Sequence, residues 1–223
     1  MLSIMLQNLD MVIAALLLAV SAIPMYIKID KKRAQARKLV PVALMAALCV
    51  VGRVAFSIIP LPNFKPVTAI VIITGIAFGP EAGYMTGTLA GFLSNFIYGQ
   101  GPWTPWQMFC WGMIGLIAGV FQRKGIFGRV GKEEQNLDRK KKKPVALCVF
   151  GLLSGIGYGW VMNLYHIVGY IHPITWHSIV ISYVSSIFYD LCHGMCTALL
   201  LGLLGDIWVK KLQRIKKKYG LSD

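Results

Sequence analysis

Seven apolar stretches separated by short polar or basic ones account for most of the chain: Met11–Ile27, Leu39–Ile59, Val67–Phe78, Ala82–Tyr98, Pro105–Phe121, Pro144–Val168 and Trp176–Asp206. Inside them the small and polar positions recur every three or four residues and do not alternate, which is the period of a helix. Gly83, Gly87 and Gly91 repeat at intervals of four, as do Gly115 and Gly119 and the series Gly151, Gly155 and Gly159. Such stripes let a neighbouring backbone approach closely. Ser182, Ser186, Asp190, His193 and Thr197 draw a single polar stripe along the last stretch. An ionisable group at membrane depth normally faces the bundle interior, so Asp190 is expected to be buried and paired, with His193 one turn away as its candidate partner. The pattern predicts seven membrane-spanning helices. Asp10 caps the first, and the third, Val67–Phe78, is short and therefore tilted or irregular.

Composition agrees with a membrane protein. Hydrophobic residues make up 56% and charged residues only 14%, against about 25% charge in soluble domains. The net charge of +14 suggests nucleic acid until the positions are read. Of the 23 Lys and Arg residues, 21 lie in three blocks, Lys28–Lys38, Arg123–Lys143 and Lys210–Lys218, and only Arg53 and Lys65 fall outside them. Basic blocks between apolar spans mark cytoplasmic loops, so the N-terminus is expected outside, the C-terminus inside, and no nucleic-acid partner. The Arg123–Lys143 loop is expected to be solvated and mobile. The first stretch lacks the positive start of a cleaved signal and is read as a retained helix. The five cysteines lie within apolar stretches and suggest packing, not a disulfide framework.

The candidate chemistry collects on the expected external side. Gly99–Trp111, GQGPWTPWQMFCW, sets Trp103 and Trp106 beside Gln100, Thr104 and Gln107 in a Gly- and Pro-rich loop leading into a helix. An interfacial aromatic belt accounts for the tryptophans, and so does a binding surface; the Gly and Gln interleaving favours the surface. Arg53 sits in the outer third of its span, where it either snorkels or faces a cavity. Asn63 and Lys65 lie in the Pro60–Pro66 loop, Asn95 just beneath the Trp loop, and Asn163 and His166 three residues apart on one helix face. Together Arg53, Asn63, Asn95, Gln100, Trp103, Trp106, Gln107, Asn163 and His166 form the expected substrate-binding set. Ala43 and Ala47, one turn apart, offer a smooth face turned roughly 80–120° from Arg53.

Other chemistries fit less well. Cys192 and His193 are adjacent and point about 100° apart on a helix, so DLCHGMC is a poor tetrahedral metal site. An enzyme would have to use Asp190 or His193, and no activated nucleophile with an oriented base is evident. No G-x-x-x-x-G-K-[ST] string occurs, so any ATP-driven step belongs to another subunit.

Ala43-x-x-x-Ala47, NFKPVTA from Asn63, FGPEAG from Phe78 and SNFIYGQGPWTPWQMFCWGMIGLIAG from Ser94 resemble the substrate-binding S component of an energy-coupling factor (ECF) vitamin transporter. The resemblance covers residues 39–208 and implies an all-α membrane protein with a six-helix bundle. Residues 1–38 would add an extra N-terminal transmembrane helix and a basic link, and residues 209–223 a basic cytoplasmic tail. It implies no catalytic residue, no metal and no cofactor bound by this chain. The implied partners are the lipid bilayer, a small-molecule vitamin, a transmembrane coupling subunit docked on Ala43 and Ala47, and two ATPase subunits that hydrolyse ATP. The amide- and indole-rich loops, with two cations and no nearby acid, point to cobalamin or a related corrinoid, with another vitamin-like compound as the alternative. The GQGPWTPWQ string is similar to the cobalamin members.

Overall fold

A computed structural model describes residues 36–128, 130–131 and 145–220, together with residues 9, 12–13 and 15–19. Residues 12–13 and 15–19 are helical, in agreement with the start of the first expected helix. Asp10, the rest of that helix, the basic link before residue 36 and most of the Arg123–Lys143 loop lie outside the described residues.

The described bundle consists of α1 (Ala36–Ala55), α2 (Val67–Phe78), α3 (Pro80–Tyr98), α4 (Trp103–Arg123), α5 (Val145–Tyr170), α6 (Trp176–Leu200) and α7 (Asp206–Lys218). Among the described residues there is no strand. Leu39–Ile58, Trp103–Arg123, Val145–Tyr170 and Trp176–Lys218 are long and apolar enough to cross a membrane. The chain is therefore an all-α, multi-pass membrane protein. Helix α3 is 19 residues long, but its glycines, threonines and Glu81 dilute its apolar character.

Helix α2 explains why the bundle closes around a short element. Its 12 residues span about 18 Å, less than the ~30 Å hydrocarbon core. It is apolar on all sides, and every residue from Val67 to Ala77 is buried. A helix without a polar face belongs in a core, and α2 touches α1, α3, α4, α5, α6 and α7.

Two glycine seams set the helix pairs. On the first, Gly75 of α2, Gly83 of α3 and Gly115 of α4 meet backbone to backbone, and an added Cβ on any of them would overlap a neighbour's main chain. On the second, Gly155 of α5 faces Gly194 of α6, and Gly151 faces Thr197 and Leu201. Gly159, the third of that series, leaves the notch that holds the Asp190 carboxylate.

The polar stripe on α6 departs from the expected pairing. Asp190 Oδ2 accepts from Ser186 Oγ at 2.9 Å, whereas His193 Nε2 meets Thr68 Oγ1 of α2 at 2.7 Å. The two residues are three apart and so diverge by about 60°, enough to send one into the Gly159 notch and the other into the core. Ser182 and Ser185 donate to carbonyls of their own helix.

The last span also runs further than expected. Through a π-helical turn, Leu201–Gly205, α6 continues into α7, so the helix extends from Trp176 to Lys218. Asp206 anchors the start of α7 by accepting from the Gly131 amide at 3.0 Å and pairing with Lys210 at 2.7 Å. Val209 is fully buried, and Trp208 and Leu212 pack on the core. The lysines of this segment mark a solvated face, but the Trp208, Val209 and Leu212 spacing gives it an apolar one.

Candidate functional site

At the Trp-loop end of the bundle, a hydrogen-bonded network grows from Arg53 in the last turn of α1. Its guanidinium donates through Nη1 to Ser94 Oγ at 2.5 Å and to Asn95 Oδ1 at 2.9 Å. The amide of Asn95, 1% exposed, then donates to Thr104 Oγ1 and Gln107 Oε1, each at 2.9 Å. Thr104 donates to Gln100 Oε1 at 3.0 Å and accepts from the Gly101 amide. A buried amide with both its polar ends engaged holds α1, α3 and α4 in one geometry, because leaving either end unpaired would cost about 1–3 kcal/mol.

Aromatic rings close the network. The guanidinium lies 4.5 Å from the centroid of Tyr98 and 5.3 Å from that of Trp111. Tyr98 returns a hydrogen bond from its hydroxyl to the Arg53 carbonyl at 2.9 Å, and that hydroxyl is in close contact with Ser57 Oγ. Lys65, from the loop before α2, sits 4.7 Å from the same Tyr98 ring. Burial, and then the charge of Arg53, hold the Lys65 ammonium below the usual lysine range. Beneath the network Trp111 stacks on Tyr158 and donates to Thr68 Oγ1, which also meets His193.

The expected binding residues fall into distinct places. Arg53, Asn95, Gln100 and Gln107 belong to the one network. Trp106 does not border it as an open face: it is 1% exposed and tilted against Tyr165. Trp103, Ile13 and Leu17 pack on the Trp106–Tyr165 pair, so the N-terminal helix covers this cluster. Asn63 is exposed in its loop with φ 52°, a left-handed conformation that Asn adopts more readily than most residues.

Asn163 and His166 lie on the opposite side of α5. Tyr165 faces Trp106, and Asn163 is about 160° from it on the helix. Asn163 Nδ2 donates to Ser186 Oγ at 2.6 Å, continuing to Asp190, and His166 stacks on Tyr170. Asn163, His166, His177, Ser178, Ser182 and Tyr189 line part of a groove of about 500 Å³ between α5 and α6. None of its lining residues is Lys, Arg, Asp or Glu. Among the described residues no cluster of three or more His, Cys, Asp or Glu could hold a metal ion.

Tyr98 and Lys65 are functional candidates outside the expected set. Tyr98 was legible as a member: it lies three and four residues after Asn95 and Ser94, and so on their face of α3. Lys65 carried a weaker signal, as one of two cations outside the basic blocks.

Similarity to known proteins places this architecture. A UPF0397 protein of Aliivibrio fischeri (strain MJ11) is 26% identical over 188 residues, covering 82% of this chain and 93% of the relative. A UPF0397 protein of Vibrio atlanticus (strain LGP32) is 27% identical over 129 residues, 56% of this chain and 67% of the relative. No solved structure matches. Residues 33–206 match the family model described as ECF-type riboflavin transporter, S component. Its members are transport subunits and not enzymes, which removes the enzymatic reading of Asp190 and His193. With most of its length matched, and a helical membrane bundle around a polar and aromatic site, this chain belongs to the ECF-type riboflavin transporter S component family.

Proposed function

We propose that this chain is the substrate-capture subunit of an ATP-driven ECF importer and that its substrate is cobalamin or a related corrinoid. The observation that supports the reading is the Arg53–Asn95–Gln107 network, a largely buried set of cross-linked amides that fixes the Trp-loop end of the bundle beneath the exposed Gln100. On this reading that end lies outside and the C-terminus in the cytoplasm, the orientation that the basic blocks favour. A transmembrane coupling subunit and two ATPases supply the power stroke.

A flavin is the second reading, favoured by the description of the matching family. Geometry speaks for the larger ligand. A flat tricyclic ring needs an open aromatic slot, and the rings of Trp106 and Trp111 are engaged by Tyr165 and Tyr158. A bulky amphiphile rimmed with amides can instead use the exposed Gln100 and the partly exposed Trp103.

The purified full chain is expected to bind cyanocobalamin and to copurify as a red complex from cells supplied with it. Co-expressed with its coupling subunits, it should restore growth of a cobalamin auxotroph that lacks its own importer. Binding of riboflavin with no binding of any corrinoid overturns the substrate and leaves the transport role standing.

Docking on the coupling subunit is proposed through Ala43 and Ala47, which are both exposed on α1. Replacing either with Trp adds bulk where two helices should nearly touch. Uptake should then fail while vitamin binding by the isolated subunit stays within about twofold of wild type. Equal loss of both would show that bulk at this face disturbs the subunit itself and would overturn the docking role.

A further inference from the structure

Arg53 and Lys65 are the two basic residues outside the three cytoplasmic blocks, and both address one ring, that of Tyr98. Among the described residues neither makes an ion pair, whereas Arg123 pairs with Glu81 and Lys210 with Asp206. Arg53 spends its contacts on the neutral oxygens Ser94 Oγ and Asn95 Oδ1 and on the ring faces of Tyr98 and Trp111. Lys65 is only half-exposed, and the cation beside it opposes its charge.

Two like charges gathered at a half-buried position are costly unless something negative joins them. Arg53 is held from below by α3, which fixes its place, whereas Lys65 stands on a flexible stem in a loop and can adjust to a bound group. We infer that Arg53, Lys65 and Tyr98 form a subsite for one monoanionic phosphodiester group. The subsite rests on the reading of the Trp-loop end as the capture face, and it makes that face selective for ligands that carry such a group. A corrinoid with its nucleotide arm has one phosphodiester; the same ring system without the arm has none. A phospholipid headgroup presents the same chemistry from the bilayer surface.

Binding to the purified full chain in a neutral maltoside micelle distinguishes these cases. Cyanocobalamin should bind about tenfold more tightly than dicyanocobinamide, the equivalent of one charge-assisted hydrogen bond. The ratio should fall towards one in Lys65→Gln and shrink in 0.5 M salt, while Lys124→Gln, at the other end of the bundle, should keep it. For a flavin-binding protein the nearest pair is flavin mononucleotide over riboflavin; its phosphate is a monoester that carries up to two charges, so the response to Lys65→Gln should be at least as large. If phosphatidylglycerol added to the micelles abolishes the preference in wild type, and phosphatidylcholine does so equally, the headgroup phosphodiester takes the subsite. Equal affinity for both members of a pair in lipid-free micelles, or a preference untouched by Lys65→Gln, overturns the inference while the capture role stands. Absence of binding to all four compounds instead overturns the capture reading on which it rests. A circular-dichroism melt of Lys65→Gln within a few degrees of wild type excludes misfolding as the cause.

Discussion

Gly115→Leu is expected to destabilise the folded bundle severely. The α carbon of Gly115 sits where α3 and α4 nearly touch, and an added Cβ would overlap the Gly83 carbonyl group, which is main chain and cannot rotate away. Gly75 and Gly83 in turn press on the Gly115 carbonyl, so the overlap cannot be relieved by sliding one helix. Overpacking of a tight core costs about 1–3 kcal/mol when side chains can yield. With backbone on both sides the loss should reach roughly 3 kcal/mol or more, a large share of the 5–15 kcal/mol that holds a typical domain together. Gly157→Leu is the matched comparison, because a Cβ there meets nothing within 4 Å. Leucine is also a better helix former than glycine, by somewhat less than the ~0.8–1 kcal/mol that separates glycine from alanine. Size-exclusion profiles and thermal midpoints of the two detergent-purified variants test this directly. A monodisperse Gly115→Leu protein that melts with wild type would show that the α2, α3 and α4 backbones are further apart than described.

The same contacts explain what could be read from the chain before its fold was known. Four-residue glycine spacing implies that some helix packs closely on each stripe, and it does. Spacing within one helix carries no record of the partner, however, so the meeting of Gly75 with Gly83 and Gly115 was not legible. The Arg53 network divides along the same line. Ser94, Asn95 and Tyr98 share a face by local periodicity, whereas their contact with Arg53 joins residues some forty apart through the tertiary fold. Position along a helix carries no direction: Asn163 and His166 line the α5–α6 groove, whereas Tyr165 occupies the face towards Trp106. Asp190 and His193 show how a stripe of polar residues can hold two unrelated contacts. One carboxylate fills a glycine notch, and one imidazole pins α6 to α2 through Thr68.

Arg53→Met should separate a binding arginine from one that merely snorkels. Methionine keeps the apolar stem and removes both donors, which strands Ser94 Oγ and Asn95 Oδ1 beneath the mouth of the bundle. Asn95 is then free to turn, and the orientation of Thr104, Gln107 and Gln100 loses its reference point, since each is tied to the next by hydrogen bonds. Removal of a charged donor from such a network costs about 2 kcal/mol, a roughly thirtyfold loss of affinity if the network is organised for the ligand. Arg53→Lys restores the charge but not the plane: an ammonium can donate to Ser94 and Asn95 as the single Nη1 does, but it has no flat face to lay over Tyr98 and Trp111 at the same time. It should recover stability more fully than binding. Isothermal titration with cyanocobalamin, alongside thermal midpoints for the same preparations, reads both quantities. A protein whose melting temperature falls while its affinity is unchanged would reassign Arg53 to the scaffold and leave the exposed Gln100, Trp103 and Lys65 as the remaining contacts at that end. Loss of affinity in Arg53→Lys without loss of stability would place the guanidinium itself against the ligand, because only the geometry of its donors then differs from the parent.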